Sequence, residues 1–173
     1  MRILQTSILL AVASFSALAQ APNPLAPSVG LFNNIKGNVL RSADKISEEL
    51  WNYKPTPDIR SFGQLFAHIA DGQYEFCGPV KEGKPTTLDT VEKTAQTKAE
   101  VVAKLKEAFA YCDATWTLLT PENALQPATP GGRGTRIASM DFNTAHTFEH
   151  YGNLVTYMRL KGIVPPSSEP KKK

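Results

Sequence analysis

Three histidines are the residues of this chain best suited to chemistry, and two of them lie four residues apart. His146 and His150 stand in the segment HTFEHYGNLVTYMRLKGIVPP, which has the apolar spacing of a helix. Residues i and i+4 lie on the same helix face, so the two imidazoles can point at one ion. His68 lies among apolar residues of another helical segment. Because all three fall at inward-facing positions, the pattern predicts a divalent-metal site.

Two other interpretations fit the histidine pattern. The first is a zinc peptidase, because HTFEH fits the pattern H-x-x-E-H. Such an enzyme needs a further acidic ligand downstream, but the only acid after His150 is Glu169, in a Pro/Ser/Lys tail. The peptidase interpretation is therefore excluded, and Glu149 is expected to be solvated. The second interpretation, core histidines whose ring nitrogens are satisfied by neighbouring groups, stays open.

The elements that must position these residues are four helices. Apolar residues at three- and four-residue steps, together with helix stop signals, define each one. Capping-box pairs mark two starts, Ser61 with Gln64 and Thr97 with Glu100, and Gly162 marks the last stop. The expected bounds are about Val29–Trp51, Ser61–Cys77 (ending before Gly78-Pro79), Thr97–Leu119 and about Ser139–Lys161. With no strand-like segment, the sequence predicts an all-α, four-helix bundle.

The N-terminus has the pattern of a secretory signal peptide. Residues 1–19 contain a basic start, a short apolar run and small residues before Ala19. Cleavage is expected after Ala19, or alternatively after Ala21, leaving residues 20–173 as one domain. The apolar run is too short for a comfortable membrane span, although an uncleaved anchor is the alternative. We therefore expect export to a bacterial periplasm or secretion, without stable membrane insertion after cleavage.

Composition limits the partners. The chain is 42% hydrophobic and 20% charged, which is typical of a globular protein. Its net charge of +3 includes three lysines at the extreme C-terminus, and no basic residues cluster as a nucleic-acid surface requires. We expect no nucleic-acid partner. A small-molecule substrate and a homodimer stay open.

Cys77 and Cys112 are the only cysteines, and export would permit a disulfide between them; two buried thiols are the alternative. Cys77 ends the second helix, whereas Cys112 lies about two-thirds along the third. Antiparallel helices joined by a short turn would separate them by roughly 20 Å, beyond the ~7 Å limit for bridged Cα atoms. Parallel helices bring them together, and residues 78–96 are long enough to return along the bundle. A disulfide therefore favours an up-down-down-up topology.

The segments WNYKPTPDIRSFGQLFAHIADGQYEFC and HTFEHYGNLVTYMRLKGIVPP resemble the DinB-like (YfiT-like) metalloprotein superfamily, and the resemblance extends from about Leu31 to Pro166. It implies an up-down-down-up four-helix bundle with a long crossover between the second and third helices. It also implies a divalent ion, zinc or nickel, held by His68, His146 and His150. Residues 151–153 read Tyr-Gly-Asn where family members often have Arg-Gly-Gln, so a role requiring a cation there does not carry over.

Two functions are open at this point. Three neutral imidazoles leave a divalent ion at least one open position, which is the pattern of catalytic sites. The resemblance implies a metal-dependent transferase of the thiol type, and a hydrolase is also consistent with the site; either would use water or thiolate as nucleophile. The alternative is a non-catalytic metal-binding or stress-related bundle. No catalytic residue is indicated, because Glu149, Asp71 and Glu75 are each expected to be solvated or capping.

Overall fold

The computed structural model describes residues 22–86 and 90–170, and its regular structure there is helical. Four long helices form the bundle: α1 (Ala26–Lys45), α2 (Phe62–Glu82), α4 (Lys98–Trp116) and α5 (Arg136–Leu160). A short helix, α3 (Thr90–Thr94), lies in the connection between α2 and α4, and 3-10 turns span Glu48–Leu50 and Pro166–Ser168. The predicted all-α fold is confirmed. The predicted signal peptide, with both of its cleavage sites, lies outside the described residues.

Helices α2 and α4 run parallel to each other. Near their starts, Gly63 and Val101 line the same small cavity. Near their ends, the Cα atoms of Cys77 and Cys112 are 5.5 Å apart, at the separation of a disulfide. Parallel neighbours require a connection that returns along the bundle, and the chain between α2 and α4 provides it.

Helix α1 runs antiparallel to α4. The ring of Phe32, early in α1, packs against that of Trp116, at the end of α4, with centroids 6.0 Å apart. At the opposite end, the ammonium of Lys98 donates a hydrogen bond to the carbonyl oxygen of Ile46, 2.5 Å away. Helix α1 therefore ends where α4 begins.

Helix α5 runs antiparallel to α2. The hydroxyl of Ser139, early in α5, donates to the carbonyl oxygen of Phe76, late in α2 (2.7 Å). The hydroxyl of Tyr157, late in α5, donates to the carbonyl oxygen of Arg60, just before α2 (3.1 Å). Because α2 and α4 are parallel, and α1 and α5 each run antiparallel to one of them, the predicted up-down-down-up order is confirmed. Within the described ranges, no helix combines the length and apolar character that crossing a bilayer requires.

The predicted end of the second helix was wrong, because α2 continues through Gly78-Pro79 to Glu82. Proline removes a helical hydrogen bond and normally breaks or kinks a helix. Here α5 contacts the chain on both sides of the proline: the hydroxyl of Ser139 donates to the carbonyl of Phe76, and the guanidinium of Arg136 donates to the carbonyl of Val80 (3.0 Å). The helix stops at Gly83, whose φ of 69° is left-handed.

The other predicted bounds need smaller corrections. Helix α1 ends at Lys45 rather than near Trp51, because Ile46 is extended and a 3-10 turn follows. Trp51 then folds back and stacks on Phe66, with ring centroids 5.3 Å apart. Helix α4 ends at Trp116 rather than Leu119. Helix α5 starts at Arg136 rather than near Ser139, because Thr135 caps it with its side chain. Both predicted capping boxes are present.

The core lies between the four long helices, and each contributes fully or almost fully buried side chains. The largest apolar ones are Phe32, Ile35, Phe62, Phe66, Ile69, Leu105, Phe109, Met140, Leu154 and Met158.

Gly162 ends α5 as predicted, and substitutions there would measure the cost of its left-handed backbone conformation. Its φ is 69°, and an added Cβ would meet no atom within 4 Å, so a substitution there incurs backbone strain alone. We expect Gly162→Ala to lower the free energy of unfolding by about 1 kcal/mol, and valine by more. Gly152→Ala is the matched control, because Gly152 is exposed within α5 with equally open space. It should raise stability by roughly 0.5–1 kcal/mol. Equal effects of both variants in denaturant unfolding would contradict this account.

The pairing of Cys77 with Cys112 should also be measurable. The two residues are 35 positions apart, and closing a loop of that length stabilises a fold by about 3–4 kcal/mol on the loop-entropy model. We expect peptide mapping under non-reducing conditions to recover the linked pair. Cys77→Ala/Cys112→Ala should unfold at correspondingly lower denaturant concentration. Two thiols that alkylate freely in the oxidised, folded protein would contradict the pairing.

Candidate metal centre

The structure brings the three histidines together between α2 and α5. Their candidate ligand atoms all lie within 4.8 Å of one another. The Nε2 atom of His146 is 3.3 Å from Nε2 of His68 and 3.0 Å from Nε2 of His150. Three imidazoles from two helices thus converge on one point through the same ring nitrogen.

This spacing fits a shared ion. Nitrogens bonded to one tetrahedral zinc at about 2.0–2.1 Å are necessarily separated by about 3.3 Å. The two measured Nε2 separations, 3.0 and 3.3 Å, are close to that value. The opposite nitrogens, Nδ1 of all three rings, are buried and make no hydrogen bond within the described part of the chain. Core histidines normally have satisfied nitrogens, so the core interpretation fits poorly.

Burial keeps two of the rings neutral. It is the main cause that lowers the pKa of His146 from 6.5 to about 4, and the neighbouring His150 and His68 add to the effect. The pKa of His150 is also lowered to about 4, by burial first and then by His68 and Arg60. Glu149 and Glu92 oppose these shifts but do not cancel them. Neutral imidazole is the form that binds a metal.

Gly72 makes room for the His146 ring. A Cβ built at Gly72 would lie 2.7 Å from Cε1 and 2.8 Å from Nδ1 of His146, closer than such atoms approach in proteins. The ring of Phe76, one turn further along α2, packs edge-on against His146 with centroids 5.3 Å apart. Helix α2 therefore shapes the slot for His146 as well as supplying His68.

A buried polar network aligns α2 with α5 beside the histidines. The amide nitrogen of Gln73 donates to the hydroxyl of Thr147 (3.0 Å), and its amide oxygen accepts from Nδ2 of Asn143 (2.9 Å). The same nitrogen of Asn143 lies 3.7 Å from the sulfur of Cys77 and 3.5 Å from that of Cys112. The network thus connects the cysteine pair to the helix that carries His146 and His150.

The residues that sequence reasoning missed are Glu92 and Arg60. Glu92, on α3, lies with Oε2 3.4 Å from Nδ1 of His68, near enough for an ion pair but not aligned as a hydrogen bond. The guanidinium of Arg60 holds this carboxylate through Nε (2.8 Å) and Nη2 (3.3 Å). No sequence pattern places Glu92 there, because α3 lies in a stretch that reads as polar loop.

The three acids near the histidines in sequence have other positions. Asp71 is a cap, as expected: its buried carboxylate accepts hydrogen bonds from the backbone N–H groups of Val91 (2.8 Å) and Glu92 (2.9 Å) at the start of α3. Glu149 is exposed on α5, also as expected. Glu75 is half-buried and lines a separate pocket with Phe76.

The C-terminal segment is attached away from the cluster. Glu169, the downstream acid required by the peptidase interpretation, forms an ion pair with Lys45 of α1. Tyr151, which stands where the resembled family often has arginine, is buried, and its hydroxyl exchanges hydrogen bonds with Ser167 (3.0 and 3.1 Å). Tyr151 therefore fastens the segment after α5 to the bundle.

An open pocket of about 590 Å³ gives access to the histidine cluster. His150 and Glu92 line it, and its other walls are mainly polar, with both positive and negative groups. The remaining lining residues are Lys54, Pro57, Asp58, Ile59, Arg60, Gln64, Leu65, Asn153 and Tyr157. A small polar molecule could reach the side of the cluster that His150 faces.

The sequence and the fold of this chain both match DinB-like proteins. The sequence model of the DinB superfamily matches residues 34–154. The uncharacterized protein YjoA of Bacillus subtilis is 29% identical over 123 residues, which are 69% of this chain and 79% of YjoA. The crystal structure of YjoA, a DinB-like protein, has a TM-score of 0.66 at 24% identity and covers 84% of this chain and 99% of its own. A DinB-like protein from Bacillus cereus has a TM-score of 0.64 at 14% identity, covering 82% and 95%. At these identities the two structures show the fold alone.

The lowered pKa values predict how pH affects the metal-free protein. His146 and His150 bind protons less readily when folded (pKa about 4) than at the ordinary value of 6.5. The unfolded state therefore takes up more protons between these values, and the free energy of unfolding should fall as pH drops from 6.5 towards 4. Ring-proton chemical shifts should titrate near pH 4. His146→Gln/His150→Gln should lose this part of the pH dependence; a variant that keeps the wild-type profile would contradict the assignment.

Proposed function

The chain belongs to the DinB superfamily, and from this membership and its histidine cluster we propose that it binds one divalent metal ion through His68, His146 and His150. The observation that carries the proposal is the convergence of the three Nε2 atoms: that of His146 lies 3.3 Å from that of His68 and 3.0 Å from that of His150. The lowered pKa values of His146 and His150 support it further, because neutral imidazole is the form that binds a metal. Zinc or nickel is the proposed ion, because imidazole suits both.

The proposed activity is that of a metal-dependent transferase of the thiol type, or of a hydrolase, acting on a small molecule. Three protein ligands leave a coordination position open, and the pocket at His150 offers access to it. When bound, the ion would act as a Lewis acid and lower the pKa of a coordinated water or thiol. The chain itself supplies the polar pocket that receives the substrate and the buried walls that limit water around the rings.

A non-catalytic metal-binding protein is the alternative, and the positions of the acidic side chains favour it. Asp71 is occupied by the backbone of α3, Glu92 is held by Arg60, and Glu149 faces solvent. Asp71 and Glu149 do not line the pocket, and of the two carboxylates that do, Glu92 is paired with Arg60 and Asp58 is exposed. A panel of thiol and ester substrates, assayed with and without chelator, separates the two functions: chelator-sensitive turnover supports the enzyme, and none with loaded protein supports the alternative.

We also propose that the mature chain acts outside the cytoplasm. The signal-peptide pattern of residues 1–19 supports export, and the proximity of Cys77 and Cys112 is compatible with an oxidising compartment. A thiol cofactor that is confined to the cytoplasm would then not reach the site. N-terminal sequencing of the protein recovered from culture fractions would test export and locate the cleavage site.

Metal binding should be stoichiometric and stabilising. We expect one equivalent of zinc or nickel per mature chain, and a higher melting temperature with metal, because an ion that binds only the folded state stabilises it by mass action. His146→Ala should lose most of the metal. Glu149→Ala, one turn away on the exposed face of α5, is the control and should retain it. Folded protein that takes up neither metal, with a triple-histidine variant that melts identically in its presence, would contradict the proposal.

A further inference from the structure

His68 differs from the other two histidines in what faces its outer nitrogen. Nδ1 of His68 lies 3.4 Å from Oε2 of Glu92, and each side chain is only 19% exposed. Nδ1 of all three histidines is buried without a hydrogen bond within the described residues, but at His68 a carboxylate oxygen faces it at ion-pair distance. A carboxylate therefore lies against the outer nitrogen, Nδ1, of the one histidine that α2 contributes.

The position of Glu92 is fixed from two sides. Arg60 contacts both carboxylate oxygens, at 2.8 and 3.3 Å, and the backbone carbonyl of Arg60 accepts a hydrogen bond from Tyr157. On the other side, the backbone N–H of Glu92 donates to Asp71. Asp71 stands three residues after His68, so α2 carries both the histidine and the group that anchors its carboxylate neighbour.

Helix α3 depends on these contacts. A helix of five residues is too short to be stable alone, since isolated helices are marginal below about 12–15 residues. The buried carboxylate of Asp71 satisfies two of its first N–H groups, and Val91 is buried beneath it. The crossover between α2 and α4 is thus folded at the point where it passes His68.

We propose that Glu92 is a positioning residue for His68: across the 3.4 Å contact its carboxylate accepts a hydrogen bond from the Nδ1–H group, which fixes the tautomer and orients Nε2 towards His146 and His150. A hydrogen bond to one ring nitrogen decides which nitrogen keeps its lone pair. Carboxylate partners of this kind also orient metal-bound histidines and strengthen them as ligands. The consequence for metal affinity rests on the proposed function, whereas the tautomer of His68 can be measured without any metal.

The alternative is that Glu92 only pairs with Arg60, as a structural ion pair. Glu92→Gln separates the two roles. The guanidinium of Arg60 donates only, and its shorter hydrogen bond (2.8 Å) goes to Oε1. The amide oxygen of glutamine would keep that bond, and its NH₂ group would take the position of Oε2, facing His68, with loss of the longer contact to Nη2 (3.3 Å). That NH₂ group would donate to Nδ1, moving the ring proton to Nε2 and turning the lone pair away from the cluster. A purely structural pair predicts a change in stability but no change in the His68 tautomer.

The experiment uses the mature chain, with zinc as the probe. Ring ¹⁵N chemical shifts of metal-free protein report the His68 tautomer, and competition titration reports zinc affinity. We expect wild-type His68 to carry its proton on Nδ1, and Glu92→Gln to shift the proton to Nε2 and weaken zinc binding by about 10–100-fold. Glu149→Gln makes the same charge change on the exposed face of α5, near His146, and should leave both readouts at their wild-type values.

Glu92→Asp is a second variant, in case the glutamine variant does not fold. It keeps the charge but withdraws the carboxylate by one methylene, so a positioning role predicts weaker zinc binding, whereas an effect of charge alone predicts none. Wild-type tautomer and affinity in a folded Glu92 variant would overturn the inference. If wild-type protein binds neither zinc nor nickel, the proposed function fails, and the His68 tautomer in metal-free protein still decides the role of Glu92.

Discussion

Helices α2 and α5 pack antiparallel along a contact in which Gly72 admits the ring of His146 and Gln73 bonds to Asn143 and Thr147. The three imidazoles can meet only if the two helices keep this register. A slip of one residue on α5 would rotate His146 and His150 about 100° away from α2. It would also take both α5 partners from the buried amide of Gln73, and burying an amide with lost hydrogen bonds is costly. The same polar contacts that fix the register therefore hold the ring nitrogens at ligand spacing.

The parallel packing of α2 and α4 has a second consequence for the site. Parallel neighbours need a connection that returns along the bundle, and this connection crosses the face of α2 near His68. The chain folds α3 there, anchored by Asp71, and delivers Glu92 between His68 and Arg60. At the far end of the same two helices, Cys77 and Cys112 come together. The crossover that makes a disulfide geometrically feasible thus also supplies an acidic neighbour for the histidine.

Local signals predicted the helices and the candidate ligands, and tertiary contacts account for the rest. Capping boxes at Ser61 and Thr97 and the i, i+4 spacing of His146 and His150 depend on nearby residues, and all appear in the structure. Where α2 continues through Pro79, its contact with α5 joins Phe76 to Ser139, 63 residues later, which no local signal reveals. Glu92 escaped notice for the same reason: α3 is too short to have helical periodicity and is held by Asp71 from another helix.

We propose that three imidazoles from two helices hold one metal ion. X-ray absorption spectroscopy of the protein purified from its native source tests this most directly, because the absorption edge identifies the metal and the fine structure reports its ligands. We expect a zinc or nickel edge with three imidazole nitrogens, at about 2.0–2.1 Å for zinc, and a further light-atom ligand in the open position. A folded protein with no transition-metal edge, or a metal whose spectrum lacks imidazole scattering, would contradict it.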